Sequence, residues 1–210
     1  MKRFWESKAF IVVITAPSGT GKTSVIHRLL ERDRSLRYSI SATTRPGRPA
    51  EVEGRDYFFL SEAEFDAGLG EKKFAEWATV HGYRYGTLKS QIESTLEQGH
   101  HVLMDVDVQG AYHLRKLYPD GVFIALMPPS MAELRKRLSG RGTEDTDSLA
   151  QRLKDAENEI EALLFFDYLV VNDRLEETCE EISAIIRAEE LRVKRISGPD
   201  SLIGKYLDKP

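Results

Sequence analysis

Runs of apolar residues alternate along the chain with segments in which apolar residues recur at helical spacing. Apolar or alternating runs predict strands at five places. These are Ala9–Ile14, Tyr38–Ala42, Val102–Val106, Val122–Met127 and Tyr168–Val171. Three of the later runs are continuously apolar, which is typical of parallel strands buried on both faces.

Helical patterns fall between and after these strands. They cover Ser24–Arg32, Leu88–Gln98, Met131–Leu138, Ser148–Phe165 and Leu175–Arg195. Strand alternating with helix predicts an α/β fold, a doubly wound parallel sheet flanked by helices, with its ligand outside the carboxyl ends of the strands. Two stretches interrupt the rhythm, Arg45–Arg55 and Ser139–Asp147. Their glycines and charges, with prolines in the first, predict insertions, the second of them mobile and solvent-facing.

Between the first strand and the first helix lies a stretch of small residues with one lysine. It consists of Ala16, Pro17, Ser18, Gly19, Thr20, Gly21, Lys22 and Thr23, and is called the P-loop below. Backbone N–H groups of such a loop and of the helix after it form a phosphate cradle, which indicates a P-loop NTPase fold. Lys22 would reach the β and γ phosphates of ATP, and the Thr23 hydroxyl would bind Mg²⁺. A glycine-rich turn without a ligand would need neither residue.

The usual pattern opens with glycine, whereas this chain has Ala16. A methyl group excludes most positive φ angles, so Ala16 is expected to hold an ordinary backbone conformation.

Charge and cysteine content narrow the classes of function. With 30 basic and 34 acidic residues the net charge is −4, which argues against nucleic acid or an acidic membrane as the main partner. The single cysteine, Cys179, is interpreted as a small, partly buried apolar residue. The amino-terminal apolar run is too short for a signal peptide or a membrane span, so a cytoplasmic location is expected.

The first insertion is rich in groups that bind phosphate. Arg45 and Arg48 lie near the hydroxyls of Ser41, Thr43 and Thr44. The planar guanidinium matches phosphate oxygens bidentately, and hydroxyls add further donors. A charged surface loop would explain the two arginines but not the hydroxyls beside them.

Two carboxylates, Asp105 and Asp107, stand at the carboxyl end of the third predicted strand. Residues two apart share a face, so both are expected to point into the cleft. Burying two carboxylates there costs free energy unless a cation or hydrogen-bond donors compensate their charge. Alternatively, they merely cap the following helix.

At this point the sequence resembles guanylate kinases. The residues that match the nucleoside-monophosphate signature of that family are Thr43, Thr44, Arg45, Arg48, Glu51, Gly54, Tyr57 and Phe59. The resemblance runs from the P-loop to at least Asn172. The family also tolerates alanine at the position of Ala16.

The resemblance implies a site that reads guanine, whose N1–H and amino group are donors and whose O6 and N7 are acceptors. It assigns this role to Ser41, Glu76, Thr87 and Asp107. It implies that the GMP phosphate is bound by Arg45, Arg48, Tyr57 and Tyr85, with Glu51 orienting the arginines. Taken alone, Glu76 would be interpreted as a solvated carboxylate on a helix.

For the ATP side, the resemblance implies that lid arginines neutralise charge on the transferring phosphoryl group. They match Arg137, Arg141 and Arg152, which join Lys22 and Arg45 as the expected catalytic residues. Asp105 is assigned to the coordination shell of Mg²⁺. Asn172 matches a position that lies near the adenine of ATP in guanylate kinases.

The expected protein is therefore a single-domain, ATP-dependent guanylate kinase that uses Mg²⁺. Its core is expected at residues 1–37, 88–129 and 160–210, with a GMP-binding insertion at 38–87 and a mobile lid at 130–159. The expected substrates are ATP and GMP, with dGMP also accepted, and the chain is expected as a monomer or a homodimer. The alternatives are a guanylate-kinase-like binding module that recognises peptides, and a related kinase acting on a phosphorylated sugar.

Overall fold

The computed structural model of the protein describes residues 7–80, 82–139, 153–154, 160 and 162–198. Its centre is a parallel sheet of five strands in the order β2-β7-β1-β8-β9. The strands are β1 Ile11–Thr15, β2 Leu36–Tyr38, β7 His101–Asp105, β8 Val122–Met127 and β9 Tyr168–Val171. This parallel sheet confirms the predicted α/β fold.

A second sheet of four strands has the order β4-β3-β6-β5. The strands are β3 Ala42–Thr43, β4 Phe58–Phe59, β5 Phe74–Val80 and β6 Tyr83–Leu88. β6 pairs antiparallel with both β3 and β5, whereas β3 and β4 are parallel. Its strands lie between Ala42 and Leu88, and all but the last residue fall inside the stretch 38–87 that was predicted to bind GMP.

Helices cover both faces of the parallel sheet. They are α1 Lys22–Arg32, α2 Glu62–Gly70, α3 Lys89–Glu97, α4 Val108–Leu117, α5 Met131–Ser139 and α6 Leu175–Glu190. Alternate residues of β1 face opposite ways, so Val12 and Ile14 pack with α1 and α6, whereas Ile11 and Val13 pack with α3 and α4. Cys179 is fully buried with the first group, as its interpretation as an apolar residue expected.

Several predicted elements need correction. The predicted strand Tyr38–Ala42 is wrong, because β2 ends at Tyr38 and β3 begins at Ala42, so the chain changes sheets between them. The predicted helix Leu175–Arg195 ends at Glu190, and a short 3-10 helix follows at Val193–Arg195.

The predicted helix Ser148–Phe165 lies mostly outside the described residues, and its last four residues, Ala162–Phe165, form a 3-10 helix. Most of the predicted lid, including Arg141 and Arg152, also lies outside them.

Helix α2 was not predicted, although the sequence marks its start. The Ser61 hydroxyl accepts a hydrogen bond from the backbone N–H of Glu64, and the Glu64 carboxylate accepts one from the backbone of Ser61. This reciprocal capping box satisfies two donors at the helix start. In the part of the chain that the structure describes, no helix combines the length and apolar character needed to cross a membrane.

Candidate functional site

The site lies at the carboxyl ends of the parallel strands, where β1 ends at Thr15 and runs into the P-loop. Gly19 and Gly21 have φ angles of 86° and 98°, which side-chain-bearing residues rarely adopt. Among the described residues the one non-glycine residue with positive φ is Lys72, so Ala16 has an ordinary backbone conformation, as expected. Ala16 is buried against the core, so the methyl group does not enter the phosphate cradle.

Two side chains support the P-loop by hydrogen bonds to its backbone. The Asn172 amide donates to the carbonyl oxygen of Thr20 over 2.7 Å, and Arg137 Nη1 donates to the same oxygen over 3.2 Å. The other end of the Asn172 amide accepts a hydrogen bond from Thr178, and the residue is only 7% exposed. The structure thus places Asn172 beneath the loop with both amide ends engaged, and its contact with adenine stays a prediction.

The P-loop lysine faces a carboxylate on the neighbouring strand. Lys22 Nζ lies 4.0 Å from Oδ2 of Asp105, the last residue of β7. The Tyr38 hydroxyl donates to Oδ1 of the same carboxylate. Burial, the charge of Asp105 and this hydrogen bond together raise the pKa of Tyr38 well above its ordinary value. Tyr38 therefore keeps its proton and acts as a donor.

Oxygen donors for a metal ion lie close to Lys22. Thr23 and Asp105 line one small cavity of about 90 Å³. No group of three His, Cys, Asp or Glu side chains that could hold a metal occurs among the described residues. Mg²⁺ usually binds one or two carboxylates and completes its shell with substrate phosphates and water, so the donors present fit Mg²⁺.

Between the two sheets lies a cavity of about 260 Å³ that opens beside Lys22 and Asp105. Five of the residues predicted to bind GMP line it: Ser41, Tyr57, Glu76, Tyr85 and Asp107. The structure therefore brings together side chains from both sheets that are far apart in the sequence.

The inner end of this cavity carries two carboxylates. Glu76 lies on strand β5, so its interpretation as a helix residue is wrong, and its Oε1 accepts a hydrogen bond of 2.5 Å from Thr87 on β6. Burial raises the pKa of Glu76, with a smaller contribution from the charge of Asp107, and the Thr87 hydrogen bond opposes the shift. A buried carboxylate with an elevated pKa is suited to binding a ligand that brings its own N–H donors.

Asp107 begins helix α4, as the alternative interpretation expected. Its Oδ1 accepts a hydrogen bond of 2.7 Å from the backbone N–H of Gly110. A side chain at Gly110 would begin 3.2 Å from Oε2 of Glu76. Capping and lining the cavity are compatible, because a carboxylate has a second oxygen.

The two arginines predicted to bind the GMP phosphate are not among the residues that line this cavity, and Arg45 lies next to it through Tyr57. Arg45 Nη2 donates to Glu51 Oε1 over 2.7 Å, and the backbone N–H of Arg48 donates to Glu51 Oε2 over 2.8 Å. The Arg45 hydrogen bond is the main reason that the pKa of Glu51 lies below its usual range. Arg45 also lies over the ring of Tyr57, 5.3 Å from its centre. Glu51 thus orients Arg45, as predicted, whereas the Arg48 side chain is exposed.

The threonines beside Arg45 have a different role from the one predicted. Thr43 is fully buried, and its hydroxyl donates to the carbonyl of Arg84 and accepts from the backbone N–H of Arg45. The Thr44 hydroxyl accepts from the backbone N–H of Arg84. Both hydroxyls join the chain around β3 to Arg84 of β6, and the Thr43 hydroxyl has its donor and an acceptor position used within the protein.

Sequence reasoning missed Tyr38, whose hydroxyl donates to Asp105. The pattern placed it inside a continuous strand, and no nearby sequence signal links it to Asp105.

Comparisons with known proteins agree with this geometry. A family model for guanylate kinases matches residues 8–189. Guanylate kinase from Thermotoga maritima is 46% identical over 188 residues, covering 90% of this chain and 91% of that protein. Guanylate kinase from Symbiobacterium thermophilum is 42% identical over 202 residues, covering 96% and 95%. The crystal structure of guanylate kinase from Anaplasma phagocytophilum superposes with a TM-score of 0.77 at 34% identity and covers 97% of both chains.

Proposed function

Because the chain belongs to the guanylate kinase family, we propose that it transfers the γ-phosphoryl group of ATP to GMP, giving ADP and GDP. The observation that carries this reaction is the cavity between the two sheets. Glu76, Asp107 and Lys22 of the P-loop line it, and Arg45 lies over the ring of Tyr57, which lines it too.

Guanine recognition follows from donors and acceptors. The N1–H and amino group of guanine would donate to the Glu76 and Asp107 carboxylates, while the Ser41 hydroxyl would donate to one of its acceptors. Thr87, whose hydroxyl hydrogen goes to Glu76, would orient that carboxylate. Adenine lacks the N1–H and would leave Glu76 buried without the additional donor that guanine supplies. A site built to hydrogen-bond a particular group can reject an analogue lacking it by roughly 10⁴-fold.

Phosphoryl transfer here needs no general base. The second pKa of a phosphate monoester is about 6, so GMP is largely a dianion at neutral pH. Catalysis is then positioning and neutralisation of charge. Arg45, held by Glu51, would orient the GMP phosphate, and Lys22 would bind the β and γ phosphates of ATP. Mg²⁺, when bound with ATP, neutralises charge on the same phosphates, and the oxygens of Thr23 and Asp105 would hold it.

The domain roles belong to the same proposal. Residues 38–87 form the GMP-binding part, and residues 130–159 form a lid whose arginines include Arg137, Arg141 and Arg152. Arg137 contacts the P-loop carbonyl of Thr20, and this contact supports a role for Arg137 beside the ATP phosphates.

The test is ADP formation from Mg·ATP with GMP, AMP, CMP, UMP or no acceptor. We expect turnover with GMP, and a loss of at least about 100-fold in kcat for Lys22→Ala, because a cation at the transferring phosphoryl group is removed. Lys116→Ala is the matched control, since Lys116 is exposed in the last turn of α4.

Equal turnover with AMP or UMP would support kinase activity but overturn the assignment of Glu76 and Asp107 to guanine recognition. Binding of GMP by a folded protein without turnover of any acceptor would overturn the proposed reaction in favour of a binding module.

A further inference from the structure

The hydroxyl of Tyr38 points at the carboxylate that closes strand β7. We propose that Tyr38 is a positioning residue that holds Asp105 in the orientation needed to serve the metal ion carried by ATP. The inference rests on the proposed use of Mg·ATP, and it concerns a residue outside the P-loop and outside the guanine-reading set.

Strand register explains why this tyrosine reaches this aspartate. Tyr38 pairs with Leu103 in the parallel ladder between β2 and β7. Asp105 lies two residues further along β7, so it shares the face of Leu103 and stands roughly 6.6 Å further along the strand. A tyrosine side chain spans such a diagonal neighbour distance. Because β2 ends at Tyr38, the ring lies at the same edge of the sheet as the P-loop.

The two oxygens of Asp105 have different surroundings. Oδ1 accepts the hydrogen bond from Tyr38, whereas Oδ2 faces Lys22 Nζ at 4.0 Å. The carboxylate is only 26% exposed. Fixing Oδ1 therefore fixes the direction of Oδ2, the oxygen on the side of the nucleotide.

The neighbouring backbone is held as well. The Thr15 hydroxyl at the end of β1 donates to the carbonyl of Val106 over 3.1 Å. Together with the pairing of β7 to β1 up to Asp105, this bond anchors the backbone on each side of Asp105 to the strand that leads into the P-loop. Without the hydroxyl of Tyr38, the Asp105 carboxylate could rotate about its side-chain torsions while its backbone stays in place.

Tyr38 also lies next to the second expected metal-binding oxygen. Thr23, Tyr38 and Asp105 line the same cavity of about 90 Å³. Groups that orient metal ligands through hydrogen bonds commonly contribute 10- to 100-fold to metal affinity or activity. The Tyr38 hydroxyl has this relation to Asp105.

The experiment measures ATP binding by calorimetry, with saturating Mg²⁺ and with EDTA, for the full-length protein and Tyr38→Phe. We expect Tyr38→Phe to weaken ATP binding in Mg²⁺ by about 10-fold. The affinity in EDTA should change less than about twofold, because the substitution removes only the hydroxyl that orients Asp105. No GMP is present, so failure of GMP phosphorylation and failure of this inference are separate results.

Tyr168→Phe is the matched control. It also removes a tyrosine hydroxyl that donates to a carboxylate, Glu189 Oε1 at 2.6 Å, but outside the nucleotide site. It should leave both ATP affinities unchanged. Asp105→Asn should show the same loss of ATP affinity in Mg²⁺. Combining it with Tyr38→Phe should lower this affinity little further, because the two residues act as a unit.

Three results would overturn the inference. The first is an equal loss of ATP affinity with and without Mg²⁺. The second is no loss in a Tyr38→Phe variant that melts normally. The third comes from a separate titration with GMP in the absence of ATP: a loss of GMP affinity in Tyr38→Phe while the Mg²⁺ dependence of ATP binding stays intact would assign the hydroxyl to the GMP cavity that Tyr38 also lines.

Discussion

Thr87 donates its hydroxyl hydrogen to one oxygen of Glu76 and leaves the other oxygen beside the backbone of Gly110. Three elements, β5, β6 and α4, thereby fix one carboxylate in the wall of the cavity. A carboxylate held in this way can select its ligand by the donors that the ligand carries.

Glu76→Gln should lose this selection. The amide keeps the shape but cannot accept at both of its ends, so kcat/KM for GMP should fall by at least about 100-fold while that for AMP changes little. Steady-state kinetics with both nucleotides would show it. Glu97→Gln, an exposed residue at the end of α3, should match the wild type. Unchanged discrimination would mean that Glu76 does not read the base.

The same substitution should stabilise the free protein at neutral pH. Burial raises the pKa of Glu76, so the folded state favours the protonated acid, and its ionisation costs stability as pH rises through that pKa. A neutral glutamine avoids this cost. Melting temperatures from pH 8 down to pH 5 should show the variant above the wild type, with the difference shrinking as pH falls. A variant less stable than the wild type across this range would contradict the expected burial cost.

Glu51→Gln should weaken GMP binding indirectly, through the arginine that Glu51 orients. Its carboxylate holds Arg45 and the backbone of Arg48, and loss of a charged hydrogen bond typically costs about 1.5–3 kcal/mol, or roughly 10-fold or more in KM. Kinetics at varied GMP would measure it, with kcat nearly unchanged. Glu176→Gln, which loses the arginine contacts of a surface carboxylate far from the cavity, serves as the control. A fall in kcat alone would instead place Glu51 in the transfer step.

Asn172→Ala separates support of the P-loop from recognition of adenine. Removing the hydrogen bond to the Thr20 carbonyl should lower the affinity for ATP by about fivefold, which is the effect of one buried hydrogen bond. If the side chain supports the loop, affinities for ATP and inorganic tripolyphosphate should fall together. If it contacts adenine, only ATP should weaken. Calorimetry with both ligands distinguishes these results.

His101 should make stability depend on pH in the opposite sense to Glu76. Its ring accepts a hydrogen bond from the backbone N–H of Phe10, and burial lowers its pKa despite the nearby carboxylate of Glu190. The unfolded imidazole therefore binds a proton near pH 6.5 that the folded one does not, and stability falls as pH drops below that value. His101→Asn should flatten this slope between pH 7 and pH 5 in chemical denaturation. The exposed His113→Asn should keep it, and an unchanged slope in His101→Asn would exclude His101 as its source.

Hydrophobic patterning predicted the parallel strands because their burial is continuous along the sequence. It failed at Tyr38–Ala42, where the pattern continues although the chain passes from one sheet to the other. Helix α2 was missed even though Ser61 and Glu64 have the spacing of a capping box.

Side-chain partners set by tertiary contacts were harder to predict. Phosphate-binding residue types were recognisable near Arg45, but not that Thr43 turns its hydroxyl toward Arg84. The support of Thr20 by Asn172, and of Asp105 by Tyr38, joins residues far apart in the chain. Only the packing of strands and helices brings such pairs together.

The position of β1 in the middle of the sheet has a consequence for synthesis on the ribosome. Ile11 pairs with Val102, and Val12 pairs with Val122, so the strand that leads into the P-loop finds both of its neighbours only after β8 has been made. Such long-range pairing slows folding, because a long loop must close before its contacts form. A nascent chain ending before β8 would thus carry the whole P-loop while the strand that leads into it still lacks one of its two neighbours.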